Sequence, residues 1–248
     1  MTKSVCVIDL DSTHIAQKLS HQPTVITLLQ AKMQAGLNVV VCTDHSLSTS
    51  RHYLMRLGLP DSAFVITNGG QTVETVGGDL VFNHTLPQTY YQQVGEFAAT
   101  FDLETILYDR HDQIQRLGEP LNPDFDSKAV VSAVITGAPL TLNTSCAALN
   151  QSLGDSSYLI RIADGAFAVK PVLNDKAVAL NAIMAQLPDH DALTVLGDGF
   201  SVIPMFAQAT QAVGLQHGSP LALRHATCAL NVDDLQASVK TLNDLLSA

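Results

Sequence analysis

Over the first seventy residues, short unbroken apolar runs alternate with stretches in which apolar residues recur every three or four positions. Val5-Cys6-Val7-Ile8 is one such run, and it leads into two carboxylates flanking a leucine, Asp9-Leu10-Asp11. An unbroken run of this length suits a strand buried on both faces of a parallel sheet. Val25, Leu28, Leu29 and Met33 then fall at helical spacing, with Pro23 suited to a first turn and Gly36 to a C-terminal cap, which predicts a helix over residues 23–36. A second strand over 37–42 ends at Thr43-Asp44-His45, a helix over 48–57 stops at Gly58-Leu59-Pro60, and a third strand over 63–67 ends at Asn68-Gly69-Gly70. Strands alternating with helices in this way predict an α/β fold with a doubly wound, mainly parallel sheet. Ligands of such sheets bind at the carboxyl ends of the strands, where Asp9, Thr43 and Asn68 all fall.

The rhythm changes after residue 70. Residues 72–76 and 79–82 around Gly77-Gly78 predict a hairpin, and residues 106–108 and 113–117 a second one. Helices are predicted over 87–100 and 142–153, strands over 130–136 and 158–162, and a loop over the proline-bearing stretch 120–127. This reads as an inserted α+β domain. The parallel pattern returns with a helix over 175–187, a buried strand over 192–196 broken by Gly197-Asp198-Gly199, a helix over 203–213, a short strand over 221–223 and a closing helix over 232–246.

Composition narrows the function classes. The 248 residues are 46% hydrophobic and 15% charged, enough to bury a full core. A net charge of −10 with 13 scattered basic residues argues against a nucleic-acid partner and against an anionic membrane surface. No apolar stretch approaches the length of a membrane span, and the early Asp9 and Asp11 interrupt any leader-like run, so a cytoplasmic location is expected. The four cysteines are far apart in the chain and form neither a zinc pattern nor a disulfide framework.

Four points converge on the carboxyl edge of the expected sheet: the Asp9/Asp11 pair, Thr43, Lys176 at the start of a helix, and Asp198. Two acids at the end of a buried strand are costly unless a cation or phosphate chemistry uses them. Metal-assisted phosphoryl transfer needs a carboxylate nucleophile, a second acid to move a proton, hydroxyl and ammonium groups for the phosphoryl oxygens, and oxygen ligands for Mg²⁺. Each residue taken singly also has a plainer reading. Asp11, Ser12 or Thr43 could cap a helix, Lys176 could be a solvated helix residue, and Asp198 a turn residue.

Taken together, the motifs resemble the haloacid dehalogenase (HAD) superfamily and its Cof-type sugar-phosphatase branch. Asp9-Leu10-Asp11-Ser12-Thr13 matches the family pattern D-x-D-G-T, Thr43 follows the second strand, and Thr67-Asn68-Gly69-Gly70 matches S/T-N-G-A. Lys176 opens a helix, and Gly197-Asp198-Gly199 with Met205 downstream matches G-D-G-x-N-D-x-x-M. The resemblance implies a Rossmann-like core of residues 1–70 and 170–248 and a mobile α+β cap of residues 71–169. It implies that Asp9 is the nucleophile and Asp11 the acid and base, that Thr13, Thr43 and Lys176 hold the phosphoryl group, and that Asn68 and Gly69 serve the substrate or the cap hinge. It also implies Mg²⁺ bound by Asp9, Asp11 and Asp198, and a small phosphorylated metabolite as substrate. Tyr108, Arg110, Arg116 and Arg161 are the cap residues to examine for anion contacts, though the first reading of each is an ordinary surface group.

The departures are specific. The motif glycine is Ser12, and His14 stands where a hydrophobe usually follows the threonine. The family's T-G-R reads Thr43-Asp44-His45, which removes an arginine and adds an acid near the phosphate position. The family's N-D pair is Ser201-Val202, and a valine neither ligates metal nor orients metal-bound water. Loss of such an outer carboxylate commonly costs about ten- to a hundredfold in metal affinity or activity. Three functions therefore stand open: a Mg²⁺-dependent phosphatase of small metabolites, with a sugar phosphate first among them; a catalytically weak or inactive HAD-fold protein that binds a phosphate ligand or a partner; and a phosphomutase.

Overall fold

The computed structural model describes residues 4–11, 22–154, 157–171, 175–187 and 190–247. The chain forms two compact units, Met1–Phe82 with Asp175–Ala248, and Asn83–Asn174. It opens with β1 (Ser4–Asp9), α1 (Pro23–Gln34), β2 (Asn38–Cys42), α2 (Leu47–Leu57) and β3 (Phe64–Thr67). A tight turn leads into β4 (Thr72–Thr75) and β5 (Leu80–Asn83). The second unit holds α3 (Gln88–Ala99), β6 (Glu104–Asp109), β7 (Ile114–Arg116), β8 (Val130–Thr136), α4 (Pro139–Leu153), β9 (Ser157–Ala163) and β10 (Ala166–Pro171). The first unit resumes with α5 (Lys176–Met184), β11 (Ala192–Leu196), α6 (Ile203–Phe206), β12 (Gln211–Leu215), α7 (Pro220–His225), β13 (Cys228–Leu230) and α8 (Leu235–Leu245).

In the first unit the sheet order is β13-β12-β11-β1-β2-β3-β4-β5. Pairing is parallel from β13 to β3, and β4 runs antiparallel to β3. β1 lies between β11 and β2, with Val7 opposite Val195 and Val40. Its side chains alternate between two cores. Cys6 and Ile8 pack with Val25 and Leu29 of α1, Leu54 and Leu57 of α2, and Leu242 of α8. Val5 and Val7 pack with Ala177, Leu180 and Ile183 of α5 and with Met205 and Phe206 of α6. Helices on both faces explain why the strands read as continuous apolar runs.

The second unit is an antiparallel sheet of order β7-β6-β8-β10-β9. Tyr91, Val94 and Ala98 of α3 and Leu142 and Leu149 of α4 share one core with Leu107, Ala133, Ile135, Phe167 and Val169 of the sheet. Tyr158, Ile160 and Ile162, the alternate residues of edge strand β9, are exposed. The fold is thus α/β, a mainly parallel core sheet with a separate antiparallel sheet inserted.

Four elements depart from the sequence reading. The hairpin of β4 and β5 extends the parallel sheet through the pairing of Val65 with Glu74 and Ile66 with Val73, so the units divide after Phe82 and after Asn174 and not at residues 70 and 170. The helix expected over 203–213 ends at Phe206, and Gln211–Leu215 is β12, held parallel to β11. An Ala- and Gln-rich stretch favours helix locally, but Ala212, Val213 and Leu215 gain burial as a strand. The strand expected over 221–223 is α7, started by Pro220, and the closing helix begins at Leu235, where Asp234 accepts a bond from the Ala237 N–H at 3.0 Å. Among the described residues no helix is long and apolar enough to cross a membrane.

Candidate active site

Asp9 is the last residue of β1 and is 1% exposed. Strand alternation puts its side chain on the face of Val5 and Val7, which is the face covered by α5. There it meets Lys176, the first residue of that helix, also 1% exposed. Asp175 caps the helix, its Oδ1 accepting from the Val178 N–H at 2.9 Å. Gly70 fixes where the helix starts. Its φ is +100°, and a Cβ there would come within 2.4 Å of the Asp175 backbone and 2.7 Å of the Lys176 nitrogen. Only glycine permits that approach.

The Lys176 ammonium donates to Asp9 Oδ1 at 2.9 Å, to Asp11 Oδ2, and to Ser201 Oγ at 3.3 Å. A third carboxylate, Asp44, has Oδ1 3.5 Å from the same nitrogen. Asp11 is fixed from its other side. The Thr43 hydroxyl donates to Asp11 Oδ1 at 2.6 Å, and the Asp44 N–H donates to Asp11 Oδ2 at 2.5 Å. Thr43 in turn accepts from the His45 N–H at 3.1 Å, and its own N–H donates to the Ile66 carbonyl at 2.9 Å.

Asn68 and Gly69 shape this loop. The Gly69 N–H donates to the Thr43 carbonyl at 3.1 Å, and the Asn68 N–H to the His45 carbonyl at 2.9 Å. The Asn68 side chain donates to Thr72 Oγ1 at 2.9 Å. Both residues have positive φ, +54° and +71°, a conformation that asparagine and glycine adopt readily. They lie inside the first unit, well before its boundary after Phe82.

Three carboxylates around one ammonium set the electrostatics. Burial pushes the Asp9 carboxyl up to about 6, against the pull of Lys176. Burial acts on Asp11 in the same direction, but the Lys176 charge and the bonds from Lys176, Thr43 and the Asp44 N–H overcome it and hold Asp11 below the ordinary carboxylate value. Lys176 loses solvation yet is held well above the ordinary lysine value, chiefly by Asp9. Burial alone pushes the Cys6 thiol up to about 12, and burial also leads the rise at Cys42, so neither is a thiolate nucleophile.

The donor set fits a hard cation that takes few protein ligands. Asp9 Oδ2 is buried and has no hydrogen-bond partner among the described residues, an arrangement that costs free energy unless something else binds it. Asp198 follows β11, is 6% exposed, and is packed so closely that a Cβ on Gly218 would come within 2.5 Å of its Cβ. Gly197 brings this loop against β1, since a Cβ there would lie 3.2 Å from Asp9 Cβ and 2.6 Å from Val202 Cγ2. Among the described residues no three His, Cys, Asp or Glu side chains gather into a cage. Mg²⁺ does not need one, because it commonly takes one or two carboxylates with water and substrate phosphate. Val202 is fully buried in the apolar core and adds no ligand.

Of the residues expected from the sequence, Asp9, Asp11, Thr43 and Lys176 are linked by hydrogen bonds, Lys176 to both acids and Thr43 to Asp11, with Asp198 on the adjacent loop. Thr13 lies outside the described residues, as do Ser12 and His14. The sequence reading passed over Ser201 as a partner of Lys176, Gly70 as the seat of α5, and the Asp44 main chain as a donor to Asp11. The double glycine after Asn68 was the available signal for Gly70; a main-chain donor leaves none. In the second unit, Arg161 pairs with Asp164 at 2.5 Å, while Arg110 Nε is buried without a partner among the described residues.

Residues 6–116 match the family model for haloacid dehalogenase-like hydrolases. No curated protein matches the chain in sequence. Among solved structures, a haloacid dehalogenase-like hydrolase from Bacteroides thetaiotaomicron is 17% identical, with 96% of this chain and 99% of that one covered at a TM-score of 0.78. A protein of Thermotoga maritima is 16% identical, with 98% and 97% covered and a TM-score of 0.80. A HAD subclass IIB sugar phosphatase is 15% identical, with 97% and 98% covered and a TM-score of 0.71. The family match spans β1, β2 and β3, from which the site is built, and over nearly the whole chain the fold is that of haloacid dehalogenase-like hydrolases.

Proposed function

We propose that the protein is a Mg²⁺-dependent phosphatase that hydrolyses a small phosphorylated metabolite, a sugar phosphate first among them, through an aspartyl-phosphate on Asp9. The observation that carries this reading is Asp9 itself. One of its oxygens is tied to Lys176 and the other is buried without a partner among the described residues, beside a second carboxylate held by Thr43. The fold shared with a subclass IIB sugar phosphatase supports the substrate class.

In this reading the Asp9 carboxylate attacks phosphorus as the bond from phosphorus to the leaving oxygen breaks, and Asp11 gives that oxygen a proton. Asp11, now a carboxylate, takes a proton from water, whose oxygen attacks phosphorus. The bond to Asp9 breaks and inorganic phosphate leaves. Lys176 and Thr43 hold the phosphoryl oxygens, with Thr13 as a further donor. Asn68 and Gly69 act by shaping the Thr43 loop. Held by Asp9, the Asp11 carbonyl and Asp198, Mg²⁺ would neutralise charge on the phosphoryl group and favour the ionised form of Asp9.

The resting charges run opposite to these roles, because Asp9 is pushed up and Asp11 held down. A phosphoryl oxygen that takes a Lys176 N–H away from Asp11 reverses the second of these. It removes a bond that stabilises the Asp11 carboxylate and sets a negative charge beside it, which favours the protonated acid.

A second reading, binding of a phosphate ligand without turnover, rests on the buried Val202 in place of an acid. Incubation with Mg²⁺ and a panel of aryl and sugar phosphates separates the two. Phosphate release that falls by at least about a thousandfold in Asp9→Asn is expected. Release equal in wild type and variant, or none on any ester, would overturn the phosphatase reading. Transfer of the phosphoryl group to a second sugar hydroxyl, with no phosphate freed, would make it a mutase.

A further inference from the structure

Lys176 is surrounded by more negative charge than the proposed chemistry uses. An ammonium has three N–H bonds, and Asp9, Asp11 and Ser201 accept all three. The Asp44 carboxylate, 3.5 Å away, interacts with that nitrogen through charge alone. The contribution of Asp44 to holding Asp11 comes from its main-chain N–H, which any residue but proline would supply. The side chain is 53% exposed, so packing does not require it either. It follows Thr43 directly and stands at the solvent side of the two groups that hold the phosphoryl oxygens in the proposed function, on which this inference rests. A charged group in that place acts on whatever charge a ligand brings.

We infer that Asp44 is a specificity-determining residue: its carboxylate repels ligands that carry only the phosphate's negative charge, and favours phosphomonoesters whose organic part carries an ammonium group close to the phosphorus. The ester's cation would pair with Asp44 while its phosphoryl oxygens take the Lys176 and Thr43 donors. At the separations involved, a half-exposed carboxylate changes the binding of a phosphate dianion by about three- to tenfold once solvent screening is counted.

The test compares wild type, Asp44→Asn and Asp44→Glu, all of which keep the main-chain donor to Asp11. The first readout, independent of turnover, is the affinity for inorganic phosphate in the presence of Mg²⁺, by titration calorimetry. Asp44→Asn is expected to bind phosphate about three- to tenfold more tightly and Asp44→Glu to stay within twofold of wild type. The second readout is kcat and KM for phosphoethanolamine and for glycerol phosphate, an ester with an ammonium and one without. The neutral variant should lose preference for the ammonium ester about threefold or more, through KM and not kcat. Equal phosphate affinity in wild type and Asp44→Asn overturns the inference and leaves the phosphatase reading standing. A collapse of kcat at unchanged KM also overturns it, because the carboxylate would then act in the chemistry. Phosphate binding without turnover of any ester defeats the phosphatase reading, and the affinity comparison still decides the role of Asp44. No phosphate binding by any of the three proteins defeats both.

Discussion

The loops after β1 and β2 and the loop after β11 meet at Asp9 and are built differently. On the first side the described polar groups are tied together: Lys176, Thr43 and the Asp44 N–H all converge on Asp11, and Asn68 and Gly69 brace the Thr43 loop. On the other side Asp198 stands in a loop that closes on an apolar residue, Val202, packed against Gly197. The first side is organised before any ligand arrives. In the proposed function the second would supply a ligand oxygen, without the outer carboxylate that would steer a metal or its water. The difference teaches that the two sides of Asp9 can vary separately, and substitutions on each side should have different signatures.

The largest effect is expected from breaking the organised side. Lys176→Met leaves Asp9 and Asp11 buried without their cation and should cost about 3–5 kcal/mol of stability, read by urea unfolding at neutral pH. A loss below about 1 kcal/mol would mean that the ion cluster does not hold the strand ends together.

Next comes pH. The folded-state value of Asp9 is about 6 against an ordinary 3.8, so folding favours its neutral form. That stabilisation is complete below pH ~4 and is lost as pH rises through about 6, amounting to about 3 kcal/mol. Asp11 runs the other way: its contribution is present above pH ~4 and is lost as pH falls through its lowered folded value. In metal-free buffer, the stability of Asp9→Asn relative to wild type should therefore rise between pH ~4 and ~6. A flat difference across that window would show that Asp9 is not held neutral by burial.

The smallest effect sharpens the other side. Val202→Asp returns a carboxylate to the metal loop and should tighten Mg²⁺ binding about ten- to a hundredfold by calorimetry. The same change should lower metal-free stability, since it places an acid in an apolar site. Unchanged affinity would mean that the valine is not what limits the metal.

The first unit was largely legible because its strands are covered on both faces. Continuous apolar runs such as Val39-Val40-Val41 mark strands, and the polar residues that interrupt them, Asp9 and Thr43, are the ones at the ligand edge. Lys176 was legible through the helix it opens. The stretch 203–230 was not, because short elements rich in alanine and glutamine have weak periodicity, and pairing with β11 decided what Gln211–Leu215 became. The second unit was legible as α+β but not in its detail. With one face of its sheet under α3 and α4 and exposed apolar side chains on β9, local pattern alone does not say which ligand it favours.

The close approach of Gly70 to Asp175 has a consequence for how the gene can change. These residues are 105 positions apart in the chain, and their backbones touch. Beyond the β4–β5 hairpin, which belongs to the first sheet, residues 83–174 are to the first unit one long connection. Closure entropy grows only with the logarithm of length, at about 0.6 kcal/mol per doubling. Insertions, deletions or wholesale replacement within residues 83–174 therefore bear lightly on the folding of the Asp9 site. The inserted unit is free to be exchanged, while Gly70 itself admits no other residue.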